Sequence, residues 1–146
     1  MMKKFIAISL ILAACMALAA CTGTSKSYTF NVETGEQIEV KLDTTGGYKL
    51  TQSDGNMFLS NADGDLVLTG YFLLPDAYES YIWEPMLEVG ELNDGGGYLY
   101  AVDADGRVVF LARAKGASAG VLFYSWEDAN VKTCKAMFER LSFTLQ

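Results

Sequence analysis

Apolar and polar residues alternate along most of the chain after residue 27. Tyr28, Phe30 and Val32 share one face of a stretch whose intervening positions are polar, and Ile38, Val40 and Leu42 repeat the pattern. A period of two predicts strands with one buried face, and Glu33-Thr34-Gly35-Glu36 between them supplies the turn of a hairpin. Short strands are expected at Tyr48–Thr51 and Met57–Ser60, and a longer one at Asp65–Phe72, with Leu66, Leu68 and Tyr71 as its inward candidates. Ser53-Asp54-Gly55-Asn56 and Asn61-Ala62-Asp63-Gly64 separate them with the residue types that tight antiparallel turns require.

The period then changes. Pro75 suits the first turn of a helix, and Asp76 to Trp83 places Tyr78, Tyr81 and Ile82 on one helical face before Pro85 ends or kinks it. Residues 86–97 carry no clear period. Tyr98–Val102, Arg107–Ala114 and Val121–Tyr124 read as strands, the first two joined by Asp103-Ala104-Asp105-Gly106. Ser125-Trp126-Glu127-Asp128 fits a capping box. Beyond it Val131, Cys134, Met137, Phe138 and Leu141 recur at helical spacing, which predicts an amphipathic helix of about four turns. Ser142–Leu145 closes the chain as an edge strand. The expected class is α+β: an antiparallel sheet of hairpins and meanders, with a short central helix and a long C-terminal helix packed on it.

The N-terminus has a different pattern. Lys3 and Lys4 precede an apolar run from Phe5 to Ala20 that is interrupted only by Ser9 and Cys15. The run is shorter than the ~20 residues of a spanning helix and ends in small residues, as export signals do. Leu18-Ala19-Ala20-Cys21 resembles the lipobox of bacterial lipoproteins. That resemblance implies acylation of the Cys21 thiol and cleavage before it. A second match, Leu12-Ala13-Ala14-Cys15, would leave a short apolar core and an apolar mature end, so Cys21 is the preferred site. The domain organisation read from this is a signal peptide at 1–20, a lipidated cysteine and flexible tether at 21–27, and a single α+β domain at 28–146. Two or three acyl chains, palmitate among them, hold a protein firmly, because each buried methylene contributes ~0.8 kcal/mol. The expected location is the extracytoplasmic face of a cell-envelope membrane.

Composition narrows the function. Removing residues 1–20 takes Lys3 and Lys4 away and moves the formal charge from −7 to −9. An acidic domain does not suit nucleic acid, where cations must neutralise phosphate. It is not drawn to anionic lipid either, which leaves the acyl chains as the expected membrane link. The chain has no histidine, so His-dependent triads, His-type zinc sites and histidine general bases are excluded. Only Cys21 and Cys134 survive maturation, and acylation of Cys21 leaves Cys134 without a partner. Cys134 lies on the apolar stripe of the expected last helix and reads as a buried structural thiol.

Three features carry candidate chemistry. No Lys or Arg occurs between Lys49 and Arg107, a stretch holding eleven acids, whereas the C-terminal part is basic. This predicts a dipolar domain with an acidic docking face. Asn61–Asp65 and Asp103–Gly106 resemble fragments of calcium loops, but neither supplies the 6–8 oxygens calcium takes, and Asp-Gly turns explain both. Aromatic residues gather mid-chain, and Tyr78, Tyr81 and Trp83 are the candidate ligand-binding side chains for a glycan, peptide or cation. No pair of carboxylates is singled out for hydrolysis, and Gly95-Gly96-Gly97 lacks the following helix of a phosphate loop. No catalytic residue, cofactor or metal is therefore expected.

The order of elements, with the stretches GGYKLTQSDGNMFLSNADGDLVLTGYF and SWEDANVKTCKAMFERLSFTL, is similar to the PsbP-like fold. The resemblance covers roughly residues 29–145. It implies a sandwich that works by docking or scaffolding, and no functional residue of that family maps onto a position here. The expected role is thus non-catalytic binding to an envelope protein, with small-ligand binding as the alternative. A protein partner predicts an exposed patch without a pocket; a ligand predicts a concave pocket lined by Tyr or Trp.

Overall fold

The computed structural model describes residues 24–82, 88–91 and 97–146. In order, the elements are β1 (Ser25–Asn31), β2 (Gln37–Asp43), β3 (Lys49–Ser53), β4 (Asn56–Ser60), β5 (Leu66–Leu73), α1 (Pro75–Ile82), β6 (Glu88–Glu91), β7 (Gly97–Val102), β8 (Val108–Arg113), β9 (Gly120–Tyr124), α2 (Val131–Phe138) and β10 (Leu141–Leu145). The class is α+β, and all strand pairings in the sheets are antiparallel.

The strands form two sheets rather than one. A three-stranded sheet has the order β1-β2-β10, and a seven-stranded sheet the order β3-β4-β5-β9-β8-β7-β6. The larger sheet is two meanders, β3-β4-β5 and β6-β7-β8-β9, joined along β5 and β9. Four of the five residues of β9 are buried, which suits a central strand. The close fit of that junction depends on Gly70, where an added Cβ would lie 2.5 Å from the Phe123 ring.

Apolar residues on one face of each sheet build the main core. Ile38, Val40 and Leu42 of β2 are fully buried, as the alternation predicts, and face Met57, Leu59, Leu68, Phe110 and Phe123 of the larger sheet. Phe138 of α2 enters this core stacked on Phe110, with ring centroids 4.6 Å apart, and meets Phe123 edge-on. The opposite face of the larger sheet carries Leu73, Leu111 and Leu122, covered by Ala77, Tyr78 and Ile82 of α1. Tyr71 belongs to this second cluster, not to the main core with Leu68, because odd and even positions of β5 face opposite ways.

The C-terminal helix is shorter than its periodicity predicts. It spans eight residues, little more than two turns. Its N-cap is Asn130, whose side chain accepts the Thr133 N–H at 2.9 Å, so the capping box at Ser125 does not form. The buried Ser125 hydroxyl instead accepts the Val108 N–H at 2.8 Å and donates to the Trp126 carbonyl. Asp128 stands at φ 54°, outside the helical region. Leu141, which falls at helical spacing, is the first residue of β10 and pairs with Leu42.

Three hairpin turns are built alike. Val32, Asn61 and Asp103 each donate an N–H to the carbonyl four residues on, and each accepts from a glycine at positive φ three residues on. This is a type I turn closed by a glycine bulge. The tether read at 21–27 is shortened by the same kind of pairing: Ser25–Ser27 already belong to β1, Ser25 opposite Asp43 and Ser27 opposite Lys41.

Candidate functional site

The described acids of the 50–106 stretch do not share one face. Asp54 lies in the turn that follows β3, whereas Asp63 and Asp65 lie in the turn at the other end of β4. Asp103 and Asp105 sit between β7 and β8, at the end of the sheet where the loop after β9 carries Glu127 and Asp128. An added Cβ at Gly106 would lie 2.6 Å from Asp128 Oδ1, and Arg107 pairs with Glu127 at 3.2 Å. Asp76 and Glu79 are on α1.

Within the two calcium-like turns the side-chain oxygens serve their own backbone. Asp103 Oδ1 accepts the N–H groups of Asp105 and Arg107, and Asn61 Oδ1 those of Asp63 and Asp65, at 2.9–3.0 Å. Among the described residues no group of three or more Cys, Asp or Glu is placed to hold a metal ion.

The aromatic candidates separate. Tyr78 is half-buried: Gly120 leaves room for its ring, and the Arg113 guanidinium lies 4.6 Å from the ring centroid. Arg113 also bonds Glu79 at 2.7 Å. Tyr81 is 37% exposed and hydrogen-bonds Tyr71. Burial, with that bond second, pushes the Tyr71 hydroxyl up to about 12. Trp83 lies outside the described residues. The most exposed large apolar side chain described is Trp126, at 64%, yet its indole N–H is fixed on the Leu66 carbonyl at 3.1 Å. In the sequence Trp126 stood inside a presumed cap, and nothing there marked it as exposed.

Three clefts are formed by described residues. One of about 60 Å³ lies beneath Trp126 and Tyr124, and one of about 150 Å³ lies between Phe30, Val32 and Phe72. The third, of about 200 Å³, opens where β1 begins, between the end of β2 and the α2–β10 link. All three are smaller than the 300–1,000 Å³ of typical small-molecule sites, and none is lined by Tyr78 or Tyr81.

The third cleft has the most defined electrostatics. Its walls include Ser25, Lys41, Asp43, Glu139, Arg140 and Ser142. Arg140 is built in: its Nη1 donates to the carbonyls of Thr45 and Asp43, and its guanidinium lies 3.8 Å from the Tyr48 ring centroid. The Thr45 hydroxyl and N–H, and then the Arg140 charge, hold the Asp43 carboxyl below its ordinary range. Glu139 accepts the Tyr98 hydroxyl at 2.7 Å, and burial together with that carboxylate raises the Tyr98 hydroxyl. Lys41 is exposed and stands in one cross-strand row between Ser27 and Ser142. It forms no ion pair among the described residues.

At the far end of the small sheet, Glu36 ties the two sheets together. Its carboxylate accepts from the Ser118 N–H and hydroxyl, the Ala119 N–H and the Thr34 hydroxyl. Those bonds, Ser118's first, lower its pKa to about 2. Cys134 is buried, and burial pushes its thiol up.

The structure therefore defines an antiparallel α+β sandwich, and the three clefts described are small for a typical organic ligand. Comparison with protein-family models, with curated proteins and with solved structures finds no match.

Proposed function

We propose that the chain is a cell-envelope lipoprotein, acylated on Cys21, whose domain works without catalysis by docking an envelope protein. The observation that carries this reading is the Leu18-Ala19-Ala20-Cys21 sequence, with its apolar run and preceding lysines. The short distance from Cys21 to the first strand residue, Ser25, supports it, since an anchored domain needs little more than a link. The two-layer antiparallel sandwich is in keeping with a PsbP-like kinship, and that kinship belongs to the same proposal.

Substitution Cys21→Ser is the direct test. It removes the thiol that carries the lipid, so the protein should leave the membrane fraction or persist as an uncleaved precursor, and incorporation of a fatty-acid analogue should cease. Unchanged processing and membrane recovery would overturn the reading. Crosslinking in the intact envelope then identifies the partner.

A further inference from the structure

The anchor and the cleft at the start of β1 are close neighbours. Thr24 is held in place, its carbonyl accepting the Thr44 hydroxyl at 2.7 Å. Three residues of extended chain span at most about 10–11 Å, so an acyl group on Cys21 lies within that reach of Thr24. Ser25, the next residue, lines the cleft. An anchored domain therefore has this end, and not the Glu36 end, beside the phospholipid headgroups.

The lining carries both signs of charge. Lys41 offers an ammonium with no ion pair among the described residues, and the hydroxyls of Ser25 and Ser142 line the same cleft. Asp43 and Glu139 line the same cleft, each already engaged on one side: Asp43 accepts the Thr45 N–H and lies 3.7 Å from Arg140, and Glu139 accepts the Tyr98 hydroxyl, while Arg140 is held between backbone carbonyls and Tyr48 as a fixed wall. The formal charge of −9 left after loss of Lys3 and Lys4 disfavours an anionic lipid surface. A zwitterionic headgroup with a primary amine matches the cleft: phosphate toward Lys41 and the Ser25 and Ser142 hydroxyls, amine toward the remaining carboxylate lone pairs of Asp43 and Glu139.

Resting on the lipoprotein reading, we propose that this cleft receives the phosphoethanolamine headgroup of a phospholipid beside the anchor, so that the domain stands on the membrane on its Asp43 end. The acyl chains are then not the sole membrane contact. The headgroup fixes which way the domain faces, and the Glu36 end is presented away from the bilayer.

The test uses the full acylated protein in nanodiscs, with a fluorophore on Lys49→Cys, exposed at the start of β3 just beyond the Asp43 end of β2, or on Glu33→Cys. Cys134, 1% exposed, stays out of reach of the labelling reagent. A headgroup nitroxide in phosphatidylethanolamine discs should quench the probe at position 49 several-fold more than the probe at 33. Lys41→Glu should shrink that difference, and discs of phosphatidylglycerol should show a smaller one. Equal quenching at both positions, indifference to Lys41→Glu, or a larger difference with phosphatidylglycerol would each overturn the proposal. Mass measurement of the N-terminal peptide separates the two readings: if Cys21 carries no lipid, both fall, and if it does and quenching is flat, only the headgroup site falls.

Discussion

Glu36 is a turn residue whose carboxylate gathers four hydrogen bonds, three of them from a loop more than eighty residues away. Its folded pKa, about 2, lies below the ordinary 4.5, so the folded state binds fewer protons than the unfolded chain between those values. Its stabilising effect is present above about pH 4.5 and is lost as pH falls toward 2. Glu36→Gln should lower the melting temperature at pH 7, and the gap from the parent should close as pH approaches 2; melts across that range check this. Gly70 is a second residue-scale determinant. Gly70→Ala forces a methyl into the Phe123 ring and should cost about 1–3 kcal/mol in denaturant unfolding. Gly97→Ala, where no atom lies within 4 Å of the added Cβ, should stay within about 0.5 kcal/mol.

Strands were legible in the sequence and the last helix was not, for a physical reason. A period of two with Gly at each turn leaves little ambiguity, and β2 through β5 fall close to where alternation puts them. Ser125 followed three residues on by Asp128 satisfies the letter of a capping box, but the Ser125 hydroxyl is taken by Val108, the last rung before β8 leaves its partner. That competition lies in tertiary structure and leaves no trace in local sequence. Pairing partners were equally hidden: nothing local says that β9 inserts beside β5 or that β10 seeks β2. Of the candidate site, burial of Cys134 was readable from its place on an apolar stripe, whereas the cleft at Ser25 joins residues more than a hundred positions apart. Asn130→Ala removes the true cap and should cost about 1 kcal/mol, while Asp128→Gly, which keeps the positive φ of that position, tests the false one and touches no N-cap bond of α2. Thermal melts of both variants decide between the two caps.

For the whole molecule, the two hairpin turns with calcium-like sequences are closed by their own side chains, so chelation has nothing to remove there. Adding EDTA should leave the melting temperature unchanged, and a clear drop would place a structural cation in one of them. The distribution of charge also has meaning at this scale. The described acids occupy both ends of the larger sheet and the first helix, so among the described residues they do not gather at one pole. A partner drawn to the domain by charge therefore has more than one approach, and its specificity has to come from shape.

The pairing of β10 with β2 joins residues 141–145 to residues 38–42, and the last backbone N–H, of Gln146, reaches the carbonyl of Gln37. A ribosome delivers β2 early and β10 last. Until the final few residues emerge, the second edge of β2 is bare and Phe138 and Phe143 are absent from the core they complete. The domain is thus completed only once β10 is available, and closing contacts across some hundred residues is slow. Deleting residues 141–146 should abolish cooperative unfolding rather than trim it. Under the export proposed above, such an arrangement keeps the chain open for longer, because its topology delays the fold until residues 141–145 can pair with β2.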